Sequence, residues 1–343
     1  MDLPVEFKVS VHCNTYNHAP YIKDAMNGFC MQQTCFPFVC IIIDDFSTDG
    51  EQNVITEYLN EYFNLCDNTT FFREETNDYV LLFARHKSNI NCYFAVYLLK
   101  YNHYSIRRSK TPYQKKFEED CKYIALCEGD DYWIIPNKLK KQVCFMDLHP
   151  DFTLCGTNCI ISWEYGEHDA AYFNKIFKSK ELKPEDIFER WSMPTASLLF
   201  RKEVLDNYPD WSNKIYSGDQ TLILVSMYRG RIYCFGLLSC IYRKSTTNNA
   251  SLSNNIDLIN MWKQHKMLYN FYNLWTNKTY DSLIQKKLAI IDSNIKIKEK
   301  DNKYNRIKKK SIILSFFLMP VYSLKKYTRK SLKRVFQLST FLL

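Results

Sequence analysis

VSVHCNTYNHAPYIKDAMNGFCMQQTCFPFVCIIIDDFSTDG, residues 9–50, reads as strand, helix, strand and helix start in close succession. Residues 7–13 (FKVSVHC) form a β-rich run, broken by the polar stretch 14–20. Residues 21–31 carry apolar side chains at helical spacing. A second β-rich run, 38–43 (FVCIII), stops at Asp44-Asp45. Ser47, Thr48 and Asp49 offer N-caps for a helix over 51–63. The second run is continuously apolar, the pattern of a parallel strand covered on both faces. The spacing therefore predicts a β-α-β-α start to an α/β domain.

Working outward, residues 68–73 form a candidate third strand, and 74–120 show no clear order. Residues 107–116 are basic, contain Pro112 and read as a loop. Residues 122–127 (KYIALC) form another buried strand, ending at Glu128. A helix follows over 136–148, with Pro136 at its start. Strands are expected at 152–162, 195–200 and 231–242, with a helix at 218–228. From about 254 to 309 the pattern is helical and increasingly charged, and no internal repeat is visible.

At 343 residues the chain suits one large domain with an appendage. Hydrophobic residues at 46% and charged residues at 24% describe a globular chain and exclude a disordered one. The net charge of +9 is unevenly placed: residues 294–343 hold fourteen Lys and Arg against two acids, so the rest of the chain is about −3. The main domain thus lacks the basic surface of a nucleic-acid binder. Thirteen cysteines, with no Cys-x-x-Cys pair and several in apolar runs (Cys40, Cys127, Cys155, Cys234), read as reduced and buried. Met1-Asp2-Leu3-Pro4 leads straight into a strand pattern rather than a leader, so a cytoplasmic setting is expected.

In open α/β sheets ligands bind beyond the carboxyl ends of the strands. Three predicted strands end there in polar residues: Asn14-Thr15-Tyr16-Asn17, Asp44-Asp45 and Glu128-Gly129-Asp130-Asp131. Carboxylates repel a diphosphate, and a hard divalent cation between the two removes the repulsion and stabilises a departing diphosphate. Gly129 permits a tight turn and close approach. The plain alternative for the acidic turn is a solvated helix cap, and for Asp44-Asp45 a turn feeding a helix N-terminus.

These motifs in this order resemble the family 2 inverting glycosyltransferases with the GT-A fold, of the bacterial surface-polysaccharide type. The resemblance runs from about residue 7 to 243 and is densest in 9–50 and in 122–143 (KYIALCEGDDYWIIPNKLKKQV). It implies a nucleotide-diphospho-sugar transferase with a Rossmann-like, mostly parallel sheet flanked by helices. Thr15, Tyr16 and Asn17 would line the nucleotide pocket, and Asp44 or Asp45 would hold base and ribose. Glu128-Gly129-Asp130-Asp131 resembles the family's DxD-type element, with Asp130 the main ligand for Mn2+ or Mg2+ and Asp131 assisting. An inverting transfer also needs a base for the acceptor hydroxyl; Asp219, in Ser217-Gly218-Asp219-Gln220 before a helical pattern, matches that place. Relatives carry Tyr-Arg-x-His after the last strand, whereas this chain has Tyr242-Arg243-Lys244-Ser245. Arg243 is left as the cation near the diphosphate.

The expected organisation is a GT-A domain over 1–250, a helical extension over 251–310 and a basic, apolar tail over 311–343. Within the tail, SIILSFFLMPVYSL (311–324) is uncharged, shorter than a membrane span and flanked by Lys and Arg. An interfacial helix fits it, placing the protein at the inner face of the membrane, near a saccharide or lipid-linked acceptor. Two other readings remain at this point. A sugar nucleotidyltransferase would use similar acids, but it wants a Gly-rich basic loop after the first strand, where this chain has Asn14 to His18 without glycine. The other is a non-catalytic GT-A-like scaffold at the membrane.

Overall fold

The computed structural model describes residues 5–163, 171–190, 193–244 and 258–317, with side chains through 302. The expected interfacial run in the tail lies outside the residues whose side chains are described. Two compact units divide the chain, Met1–Lys287 and Leu288–Leu343.

The first unit opens as expected: β1 (Val9–Thr15), α1 (Ile22–Cys30), β2 (Phe38–Asp44) and α2 (Glu51–Tyr62). The strand expected at 68–73 is displaced to β3 (Phe72–Glu75), and the stretch that gave no clear order holds β4 (Tyr79–Arg85), β5 (Cys92–Leu99) and a short helix, α3 (Thr111–Lys115), where a loop was expected. Then come β6 (Tyr123–Leu126), β7 (Tyr132–Trp133), α4 (Lys138–Leu148), β8 (Phe152–Trp163), β9 (Ala171–Tyr172), β10 (Lys180–Leu182) and α5 (Pro184–Glu189). The strand expected at 195–200 begins as a 3-10 turn and is extended only over β11 (Leu199–Arg201). α6 (Gly218–Arg229), β12 (Arg231–Lys244) and α7 (Leu258–Trp275) follow. α8 (Asp281–Phe317) runs on into the second unit, and its later residues are what is described there.

Among the described residues twelve strands join one sheet, with the path β10-β12-β8-β11-β6-β1-β2-β5-β4-β3, and β7 and β9 pairing with β12 and β8. The centre, β6-β1-β2-β5, is parallel. Hairpin β3–β4 closes one side antiparallel, and the short β11 bridges antiparallel to the parallel pair β8–β12. The fold is α/β, with parallel strands where the site forms. β2 shows why its sequence has no polar alternation: Phe38, Cys40 and Ile42 face one apolar core, and Val39, Ile41 and Ile43 face the other. The cysteines singled out in apolar runs, Cys40, Cys127, Cys155 and Cys234, are all buried and unpaired.

Trp133 anchors the segment after the acidic turn. It is fully buried, its Nε1–H donates to the Ala196 carbonyl at 2.7 Å, and its ring meets Phe29 edge-on at 5.0 Å. Gly28 on α1 lets that segment approach, since a Cβ there would stand 2.9 Å from the Trp133 backbone.

Candidate active site

Parallel pairing alone brings the three strand ends together. Thr15 lies opposite Asp44 and His12 opposite Leu126. The pairing continues past the strands: Asp45 N–H donates to the Thr15 carbonyl at 3.0 Å, and Gly129 N–H to the Asn14 carbonyl at 3.1 Å. The polar residues singled out in the sequence therefore share one edge of the sheet.

Their side chains do different things. Thr15 is buried and its hydroxyl donates to Glu51, the first residue of α2. Tyr16 is 43% exposed beside it. Asn17, held at φ 56°, ties the first strand end to the second: its N–H donates to Ser47 Oγ at 2.9 Å and its Oδ1 accepts Thr48 N–H at 2.8 Å. Asp44 and Asp45 are both buried. Asp45 is fully engaged, accepting the N–H groups of His103 (2.7 Å) and Tyr104 (3.1 Å) and pairing with Lys110 Nζ at 2.9 Å. Asp44 accepts from Ser47 N–H and Gln52 through Oδ1, while its Oδ2 is buried without a protein partner. Asn14 Oδ1 is a second buried acceptor left unpaired at the same edge.

The acidic turn alternates. Glu128 is accessible to solvent but closely ringed by protein, Gly129 is buried, Asp130 is half-buried and Asp131 is 2% exposed. Asp131 faces inward, its Oδ1 accepting the Arg243 N–H at 2.9 Å, which joins the turn to β12. That is not the posture expected of a residue reaching outward to a cation. Arg243 likewise grips the turn: its guanidinium donates to the Asp130 carbonyl at 2.8 Å, pairs with Asp24 and lies over the Tyr21 and Tyr132 rings. It stands at the turn with its donors engaged by protein groups.

Asp219 lies in the first turn of α6, half-buried, with Oδ1 accepting Gln220 N–H at 2.8 Å and Oδ2 facing the Thr195 hydroxyl at 3.4 Å. It shares the cleft of the acidic turn. Loss of hydration, then the charges of Asp130 and Asp219, push the Glu128 carboxyl up to about 7, against the pull of Lys110. Burial raises Asp219 above the usual carboxylate range, opposed by its hydrogen bonds. The Tyr242 phenol is pushed up by burial and then by the charges of Asp131, Asp130, Glu128 and Asp219. Among the described residues no three His, Cys, Asp or Glu side chains gather at metal-ligand spacing. A cation here would take Asp130 and draw its other oxygens from a ligand. The crowding of like charge around Glu128 fits such an ion.

Sequence reasoning passed over three residues. His18, quoted only within the first block, is 8% exposed with Nδ1 3.1 Å from Thr15 Oγ1 and Nε2 3.9 Å from Asp130 Oδ2. Glu51 was read as a helix start, and its total burial was the missing sign. Lys110 fell in a segment read as loop, and only tertiary pairing with Asp45 reveals it.

Parallel strands ending in acids agree with the GT-A fold that the sequence resemblance implies. The profile of glycosyl transferase family 2 matches residues 10–81, the stretch that builds the first two strand ends. Two uncharacterized proteins, from Mycobacterium tuberculosis and Mycobacterium bovis, are each 29% identical over 236 residues, 69% of this chain and 58% of theirs. The chain thus spans somewhat over half the length of these relatives. Among solved structures, S. aureus TarS 1-349 in complex with UDP-GlcNAc shares the fold at TM-score 0.51 and 16% identity, over 83% of this chain and 71% of that one. TarS 1-349 in complex with UDP matches at the same score and identity.

Proposed function

We propose that this protein transfers a sugar, with inversion, from a nucleoside diphosphate sugar (a UDP-sugar first among candidates) to a hydroxyl of a saccharide or lipid-linked acceptor. One observation carries the reading: the charges of Asp130 and Asp219 both bear on Glu128 at the carboxyl ends of the parallel strands, adding to the loss of hydration that raises its carboxyl. The unpaired buried acceptor Asp44 Oδ2 is suited to the N–H and O–H groups of base and ribose. Tyr16 and Asn17 border that pocket, and Gly129 lets the turn approach. Asp45 acts indirectly, holding the segment that carries Lys110.

Asp130 would hold Mn2+ or Mg2+, with Asp131 and Arg243 fixing the turn from behind. The cation supplies charge stabilisation for the leaving diphosphate. Asp219 takes the acceptor hydroxyl proton as its oxygen bonds to the anomeric carbon. The bond from that carbon to the diphosphate oxygen breaks on the opposite face. A raised carboxyl pKa suits a base that must collect a proton.

The acceptor belongs, in this reading, to surface-polysaccharide assembly at the inner face of the membrane, with the +12 stretch 294–343 drawn to anionic lipid. No described helix is long and apolar enough to cross a membrane. The test is release of nucleoside diphosphate from a panel of UDP-, GDP- and dTDP-sugars with manganese. Failure with every donor, over a range of saccharide acceptors, removes the reading.

A further inference from the structure

We propose that Glu51, acting through Thr15 and His18, positions Asp130 for its cation; the proposal rests on Asp130 being the metal-binding residue. Glu51 is 0% exposed at the start of α2. Its carboxylate accepts three donors: the Thr15 hydroxyl, His18 N–H at 2.8 Å and Ser47 Oγ at 2.8 Å. One buried group thereby fixes residues from both the first and second strand ends. Burying a carboxylate is costly unless its oxygens are satisfied, and here they are.

The chain of contacts then runs outward. Thr15 Oγ1 meets His18 Nδ1 at 3.1 Å, and the other ring nitrogen of His18 stands 3.9 Å from Asp130 Oδ2. The acidic turn is also pressed onto Thr15, since a Cβ at Gly129 would come within 2.1 Å of Thr15 Oγ1. Thr15 therefore touches the buried carboxylate on one side and the turn on the other, and His18 spans the gap to Asp130. Helix capping accounts for neither contact, because Glu51 caps nothing by reaching Thr15. Groups standing behind a ligand orient it, and losing them typically lowers metal affinity about 10- to 100-fold.

The test reads Mn2+ affinity from the spin-resonance signal of the free ion, with UDP or GDP saturating. Wild type, His18→Ala, Glu51→Gln, Asp130→Asn and the double variant His18→Ala/Asp130→Asn are compared. His18→Ala and Glu51→Gln should each raise the Mn2+ Kd about tenfold or more. Nucleotide affinity without metal should stay as in wild type. On the Asp130→Asn background, removing His18 should change nothing further, because the pair acts as one unit. Wild-type Mn2+ affinity in His18→Ala, or a full additional loss in the double variant, overturns the proposal. Should Glu51→Gln unfold, as seen by circular dichroism, His18→Ala and the double variant decide the question. If wild type itself binds no Mn2+ with either nucleotide, the metal reading of Asp130 falls, and this proposal falls with it. Failure of His18→Ala alone leaves the metal reading standing.

Discussion

Gly129→Ala tests whether the acidic turn is held by close packing. A Cβ at 129 would sit 2.1 Å from Thr15 Oγ1, 2.6 Å from Thr15 Cβ and 3.1 Å from Ile22 Cδ1. Carbon atoms rest about 3.5 Å apart or more, so turn and strand must separate by about 1 Å. Forced overpacking costs about 1–3 kcal/mol. If Thr15 is the side that moves, its bond to Glu51 goes too, adding about 1 kcal/mol. The sum, about 2–4 kcal/mol, corresponds at about 2–4 °C per kcal/mol to a fall of about 5–15 °C in Tm. If the turn moves instead, Glu128 and Asp130 shift by about 1 Å, a misplacement worth about 100-fold in kcat. Calorimetry and diphosphate release measure the two outcomes. A variant that melts within about 1 °C of wild type and turns over at more than about half its rate would refute the packing argument.

Asp219→Asn should lower kcat about 100- to 10,000-fold with donor KM little changed, and unchanged turnover would move the base elsewhere. In wild type the rate should fall with acidity at a pH above the usual carboxylate range, because burial raises the Asp219 pKa and the base must be ionised. Glu128 makes a separate pH prediction. Its folded pKa, about 7, is raised, so ionising it weakens the fold. Apo-protein Tm should therefore rise as pH falls through 7 toward the ordinary glutamate range, and Glu128→Gln should flatten that slope. Lys138 is fully buried, its Nζ donating to Gln142 at 2.8 Å above the Trp133 ring, and burial pulls its pKa down to about 8. The folded state resists that charge, so stability should climb from pH 8 toward the ordinary lysine range, by up to about 3 kcal/mol. A denaturant series on Lys138→Met that keeps the same slope would rule this out. Arg243→Ala removes the grip on Asp130 and Asp24 and should cost about 2–3 kcal/mol, mostly from leaving partners unpaired; an unchanged denaturation midpoint would show that the grip is idle.

The β-α-β-α start was legible because β2, buried on both faces, is an unbroken apolar run and β1 sets Val9, Val11 and Cys13 on one face. The segment 79–99 was not, although YVLLFAR and CYFAVYLL are just as apolar. Short apolar runs do not separate strand from helix by period, and the pairing that makes these strands is with β2 and with each other. The same limit applied within the site. Asp44 and Asp45 are indistinguishable as letters, yet one keeps an unpaired oxygen and the other is taken up by His103, Tyr104 and Lys110, more than fifty residues away. Glu51 looked like a helix start because its local position is one, and its hydrogen bonds to Thr15 and His18 are long-range facts.

Four consecutive residues of the acidic turn were legible as a unit, and the structure shows why they cannot act as one. After β6 residues 128–131 form a β-turn, closed by Asp131 N–H donating to the Glu128 carbonyl at 3.2 Å, so their side chains leave in different directions. Glu128 and Asp130 turn to the cleft, while Gly129 meets Thr15 and Asp131 holds the β12 backbone. A lone inward carboxylate would be costly, and the Arg243 N–H is the partner that lets Asp131 stay buried. The acid-x-acid spacing thus sits within a tight turn, with the intervening residue kept small by the first strand. On that logic Asp131→Asn, which retains an acceptor for Arg243 N–H, should disturb nucleotide-dependent metal binding far less than Asp130→Asn. Equal losses in a manganese titration of the two variants would return Asp131 to the cation.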